Sequence, residues 1–139
     1  MRGVISEDSH ITAEAPTVTG TSAIDSAAVD MAGWDGVICI CKVGSIATNN
    51  NLRARQDDAT GGSYADIAGS KVGDSASATP FVLEIKRPQK RFIKFRVTRG
   101  TTTTIDTLVV IKYRGRTGNV TQPTNTSVVR LVSPAEGTA

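Results

Sequence analysis

Few residues in this chain are of types that could do chemistry, and their spacing argues for a binding protein rather than a catalyst. The single histidine, His10, lies in a polar N-terminal segment. A catalytic base needs packed neighbours to orient it, and nothing in that segment promises them, so His10 reads as a solvated residue. Cys39 and Cys41 stand two apart in the run from Val37 to Val43. On a strand both thiols share one face, and same-face neighbours are too far apart for an unstrained disulfide. They read as small buried hydrophobes of a reducing compartment. A zinc site would need two further ligands, and beyond one histidine the chain has no other histidine or cysteine to supply them. Asp57 and Asp58 precede Ala59-Thr60-Gly61-Gly62. They lack the alternating oxygen ligands of a calcium loop and read as a charged loop start. There is no phosphate-binding loop, no dinucleotide fingerprint and no HExxH. No catalytic residue, metal site or cofactor is expected.

Two other features suggest contact with a partner. Trp34 sits between Gly33 and Asp35-Gly36 at the entrance to the most apolar run of the chain. It is either a core or rim anchor or an interface residue, since tryptophan is enriched in binding hot spots. The charge is also unevenly placed. Residues 1–35 hold six acids against one basic residue, whereas residues 86–116 hold ten basic residues against one acid, Asp106. Such a segment can solvate a strand face, dock an acidic protein surface, or bind nucleic acid. The nucleic-acid reading is the weaker one, because no RNA-binding signature accompanies Phe92 and Phe95 and Phe95 is expected to point inward.

The elements that must position these residues are strands. Short runs rich in β-branched residues alternate with Gly, Asn, Asp and Pro, which is the all-β pattern. Expected strands cover about residues 24–32, 36–44, 51–57, 64–68, 80–87, 91–99, 105–114 and 126–132. Eight short strands suggest a sandwich or jelly roll. In 91–99, Ile93, Phe95 and Val97 share one face and Lys94, Arg96 and Thr98 the other, so that strand has one wet side. In 105–113, simple alternation groups Ile105, Thr107, Val109, Ile111 and Tyr113, with Leu108 and Val110 opposite. That strand and Val37 to Val43 are apolar on both faces, which calls for a second layer or a partner subunit. Residues 1–22 read as an extended, polar arm, 23–139 as one domain, and 133–139 as its short tail.

With 139 residues the chain is long enough to bury one core without staples. Aromatic residues make up only 4%, so that core must be aliphatic and little is left for stacking sugars or bases. No run approaches the roughly 18 apolar residues of a membrane span, and the first residues lack the apolar stretch of a signal peptide. A soluble protein made in a cytoplasm is expected. The acceptor-like triplets at Asn119 and Asn125 then mark only polar loops.

Three segments together carry a resemblance. Val29-Asp30-Met31-Ala32-Gly33-Trp34-Asp35-Gly36-Val37 opens the apolar strand, and Val82-Leu83-Glu84-Ile85-Lys86-Arg87-Pro88-Gln89-Lys90-Arg91-Phe92 holds a proline turn. A threonine-rich bend then leads into Leu108-Val109-Val110-Ile111-Lys112-Tyr113-Arg114-Gly115-Arg116, and Val132-Ser133-Pro134-Ala135 closes the chain. Over about residues 24–136 this resembles the small jelly-roll cement, or decoration, proteins of tailed-bacteriophage heads. Many members of that family would carry fewer charges where this chain has Lys94, Arg96 and Arg99. The resemblance implies an antiparallel jelly-roll sandwich of about eight strands on the capsid exterior of the virion. It also implies a homodimer that clamps major capsid protein subunits and has no enzymatic activity. The expected interface comprises Trp34, Lys86, Arg87, Lys90, Arg91, Phe92, Lys94 and Arg96. The alternatives are a nucleic-acid-binding β module using residues 86–116 and a carbohydrate-binding sandwich of a virion fibre.

Overall fold

The computed structural model of the chain describes residues 8–14, 19–45, 47–73, 80–115 and 120–124. Ten strands appear among them: β1 (Ser9–Glu14), β2 (Ile24–Asp25), β3 (Val29–Asp30), β4 (Trp34–Val43), β5 (Asn51–Asp57), β6 (Ala65–Asp66), β7 (Val72–Gly73), β8 (Phe81–Lys86), β9 (Phe92–Thr98) and β10 (Ile105–Gly115). The described residues contain no helix, so none is long and apolar enough to cross a membrane. The expected strand at 126–132 and the tail lie outside the described residues.

The strands form a β sandwich. One sheet has the order β1-β10-β4-β8 and the other β2-β9-β5-β6, with β3 also pairing with β9 and β7 with β5. Every pair is antiparallel. The core lies between the sheets. Val37, Cys39 and Cys41 of β4, with Leu108 and Val110 of β10, face Leu52 and Ala54 of β5 and Ile93, Phe95 and Val97 of β9. The one-sided burial expected for 91–99 is the one found, and each of those three β9 side chains is fully buried.

β10 departs from simple alternation. Its register against β4 shifts between Ile105 and Thr107. A bulge inserts one unpaired residue and changes which residues face inward. Ile105, expected beside Thr107 and Val109, therefore points into the core with Leu108 and Val110, while Thr107 is exposed.

The expected strand 24–32 is two short strands, and the reason is Ser26. Its N–H donates to the Phe95 carbonyl at 2.8 Å, and its hydroxyl accepts from the Phe95 N–H at 3.0 Å. One residue thus fills both ladder positions, which lets the backbone turn away. Ser70 does the same on the other side of the sheet. Its hydroxyl accepts from the Ala54 N–H at 3.1 Å and donates to the Ala54 carbonyl at 3.2 Å. The expected strand 64–68 shrinks accordingly to β6, and β7 follows the interruption.

Ser9–Glu14, part of the expected arm, are extended but built into the sheet. They pair with β10 from Ser9↔Tyr113 to Glu14↔Leu108. On the outer side of β1 the Gln122 side chain accepts from the Ile11 N–H at 2.8 Å.

Candidate functional site

Two turns meet at one end of the sandwich. The turn from β3 to β4 passes through Gly33, whose φ of 81° suits a residue without a Cβ. The turn from β8 to β9 runs from Arg87 to Arg91. Backbone bonds tie them together: Met31 N–H donates to Arg91 O at 2.8 Å, and Arg87 N–H to Asp35 O at 2.8 Å. Between them lies a cleft of about 570 Å³ lined by Met31, Trp34, Asp35, Arg87, Lys90 and Arg91, among others. Sequence reasoning placed Trp34, Arg87, Lys90 and Arg91 in one site, and the fold brings these four together.

The Trp34 ring is held from several sides. The Lys112 ammonium stands 4.8 Å from its centroid and donates to the Asp30 carbonyl at 3.2 Å. Partial burial lowers the Lys112 pKa, with Asp30 opposing that shift. His10 meets the ring edge-on, with centroids 6.3 Å apart. His10 is thus not the solvated residue expected. It sits on β1 opposite Lys112 because β1 is a sheet strand, and its pKa is lowered first by burial and then by Lys112. Arg91 grips Asp30 with both prongs, Nε–Oδ1 at 2.9 Å and Nη2–Oδ2 at 2.7 Å. That hydrogen-bonded pairing is the main reason the Asp30 carboxyl falls to about 2.

The other expected interface residues lie elsewhere. Phe92 is half-buried under the Arg91 guanidinium, 5.0 Å from its ring centroid. Lys94 and Arg96 project from the outer face of the β2-β9-β5-β6 sheet. There Lys94 covers the Tyr64 ring at 4.5 Å, and Arg96 binds Asp25 at 2.6 and 2.7 Å. That bond is the first cause of the lowered Asp25 pKa. Lys86 sits on the outer side of the other sheet, in a shallow groove with Ile38, Glu84, Tyr113 and Arg114. The Tyr113 hydroxyl donates to Glu84 there, and its pKa rises to about 12, chiefly through burial.

The basic stretch therefore does not form one surface. Much of its charge is met within the chain: Arg91 by Asp30, Arg96 by Asp25, and Lys90 by Asp58 at 3.4 Å. Two of those acids, Asp25 and Asp30, belong to the acidic first part of the sequence, so part of the lopsided charge map is a record of contacts within the fold.

The largest unassigned feature is the outer face of β1-β10-β4-β8. Its register sets Ile11, Ile111 and Ile38 in one row and Ala13, Val109, Ile40 and Val82 in the next. Five of these, Ile11, Ile38, Ile40, Val109 and Ile111, are only half-buried, Ala13 is exposed, and Val82 remains 49% exposed. The continuous apolarity of β4 and β10 was the sequence signal. The opposite sheet accounts for the inner side, and no described segment forms a layer over the outer side.

The remaining candidates have structural settings. Cys39 and Cys41 are buried free thiols. Burial pushes Cys41 up to about 12 and Cys39 higher still, leaving negligible thiolate at neutral pH. Asp57 accepts from the Ala59 N–H at 2.9 Å and so caps its own turn. No family model, curated protein or solved structure matches this chain.

Proposed function

We propose that this chain is a structural protein that lays its four-stranded sheet against a larger assembly. In this reading the assembly is a bacteriophage head, and the chain binds its outside and bridges major capsid protein subunits. The observation that carries the proposal is the two-row apolar face of Ile11, Ile38, Ile40, Val82, Val109 and Ile111. Soluble monomers rarely leave contiguous apolar patches open, and such patches mark interaction sites. An open sheet face matches an extended partner better than a small ligand, which needs a concave pocket.

The strand order supports a jelly-roll reading. Successive strands β1, β2/β3, β4, β5, β6/β7, β8, β9 and β10 change sheets at every step except from β5 to β6/β7. A rigid wrap of this kind suits a clamp that does no chemistry. A standard interface buries on the order of 1,600 Å², and repetition over a lattice turns a modest contact into strong retention. A homodimer, as the resemblance implies, would add a second contact per particle.

Sedimentation tests the proposal. Purified protein is mixed with phage heads lacking it, and the fraction pelleting with the heads is measured. Saturation at a fixed ratio to the capsid subunit is expected, with loss of binding in Ile40→Lys at unchanged thermal midpoint. Failure to bind heads, together with salt-sensitive binding to free DNA, would instead favour a nucleic-acid module.

A further inference from the structure

We propose that the cleft beside Trp34 is a receptor for an extended acidic peptide segment of a partner protein, with Arg87 as the residue that clamps its carboxylates. This does not depend on what covers the four-stranded sheet.

The first argument is the charge inventory. Arg91 is held bidentately by Asp30, and Lys90 lies 3.4 Å from Asp58. Arg87 is exposed and makes no ion pair among the described residues. One acid, Asp35, also lines the cleft, and its carbonyl accepts the Arg87 N–H. With Arg91 matched to Asp30, the cleft keeps a planar guanidinium free, and that group prefers a carboxylate in a two-bond fork.

The second argument is backbone conformation. Arg87 has φ of 50°, in the left-handed region. A residue with a Cβ adopts it at a cost, and the following Pro88 restricts it further. Glycine would occupy the position freely. Strained residues persist where the surroundings fix them and cluster at ligand clamps. Here the bond to Asp35 and the pairing of Lys86 with Gly36 fix the backbone. An arginine at a position that glycine would occupy freely is consistent with use of the side chain itself.

The third argument concerns the occupant. The cleft, at about 570 Å³, falls within the usual range of ligand pockets, about 300–1,000 Å³, and exceeds the needs of a lone anion. The Lys112 ammonium lies over the Trp34 ring, and His10 meets its edge. Lys112 thus takes up one face of the ring, a face that a stacking nucleobase would otherwise use. An acidic side chain needs only an apolar wall for its stem and a cation for its head.

Trp34 is the sole tryptophan, so its fluorescence reports on the cleft directly. The full chain is titrated with a capped hexaglutamate peptide. Capped hexaglutamine, inorganic phosphate and a single-stranded oligonucleotide serve as competitors of other chemistry, and calorimetry provides a second readout. A saturable response to hexaglutamate alone is expected. Arg87→Gly should weaken it on the order of 10- to 100-fold, the value of a charge-assisted clamp, without lowering the thermal midpoint. Lys42→Ala removes an equal charge at the far end of β4 and should leave binding unchanged. No saturable response to hexaglutamate by either readout would overturn the proposal. So would equal binding of hexaglutamine, tighter binding of phosphate or the oligonucleotide, or unaltered affinity in Arg87→Gly.

Discussion

The bulge in β10 allows a sharp test, because it decides which of two adjacent apolar residues holds the fold together. Leu108 is 1% exposed and packs in the core, whereas Val109, its chain neighbour, lies half-buried on the outer face. Leu108→Ala removes buried methyl groups and leaves a cavity, a loss of about 2–5 kcal/mol. For a domain of this size, at about 3–4 °C per kcal/mol, that lowers the thermal midpoint by about 6–20 °C. Val109→Ala deletes atoms that solvent partly reaches, and should cost within about 1 kcal/mol. The assay is urea unfolding of both variants, followed by fluorescence of Trp34, with the midpoint and slope fitted separately. Equal losses, or a larger loss for Val109→Ala, would refute the inward assignment of Leu108. In head sedimentation the order should reverse: Val109→Ala loosens binding, and Leu108→Ala, measured where it is still folded, does not.

Two further outcomes follow from named side chains. The Asp30 carboxyl is held at about 2 in the fold, against 3.8 ordinarily, and Asp25 is lowered as well. A depressed carboxyl stabilises the fold above its ordinary pKa and loses that effect as pH falls through the folded value. Urea midpoints should therefore hold from neutral to about pH 4 and decline towards about pH 2. Asp30→Asn should flatten part of that decline, and an unchanged pH profile would contradict the pairing with Arg91. Ser26→Ala should cost about 1–3 kcal/mol, because the Phe95 N–H loses its acceptor in a buried setting. Hydrogen exchange should show faster exchange at the Phe95 amide, and undiminished protection would mean that the hydroxyl is not its partner.

Alternation alone located the central strands. Ile93, Phe95 and Val97 gave β9 its inner face, and the apolar run of β4 marked a strand needing cover on both sides. Other features left no trace at that level. β1 was hidden because its inward residues, His10, Thr12 and Glu14, are polar and line a small cleft beside Lys112 rather than the core. The bulge before Thr107 reverses facing without altering composition. The interruptions at Ser26 and Ser70 depend on where a hydroxyl meets a distant amide. Of the expected interface, Trp34, Arg87, Lys90 and Arg91 gathered because two turns on well-patterned strands meet. Lys86, Lys94 and Arg96 dispersed because sequence neighbours on opposite faces or sheets end far apart, and linear charge density carries no such information.

The position of the last two described strands governs how the chain can reach its native state during synthesis. β10 lies between β1 and β4, and β9 lies between β2 and β5. Each sheet thus receives a central member only after its flanks have been made. Until Gly115 has emerged, β1 has no neighbour in its sheet, and β4 lacks the partner that covers one of its two edges. Neither sheet can be completed from the N-terminus onward. The nascent chain must hold apolar strands in readiness and close both layers late, across loops that span most of its length. Such closure is slow compared with local pairing. Every copy that completes the sandwich therefore presents the sheet face and the Trp34 cleft together.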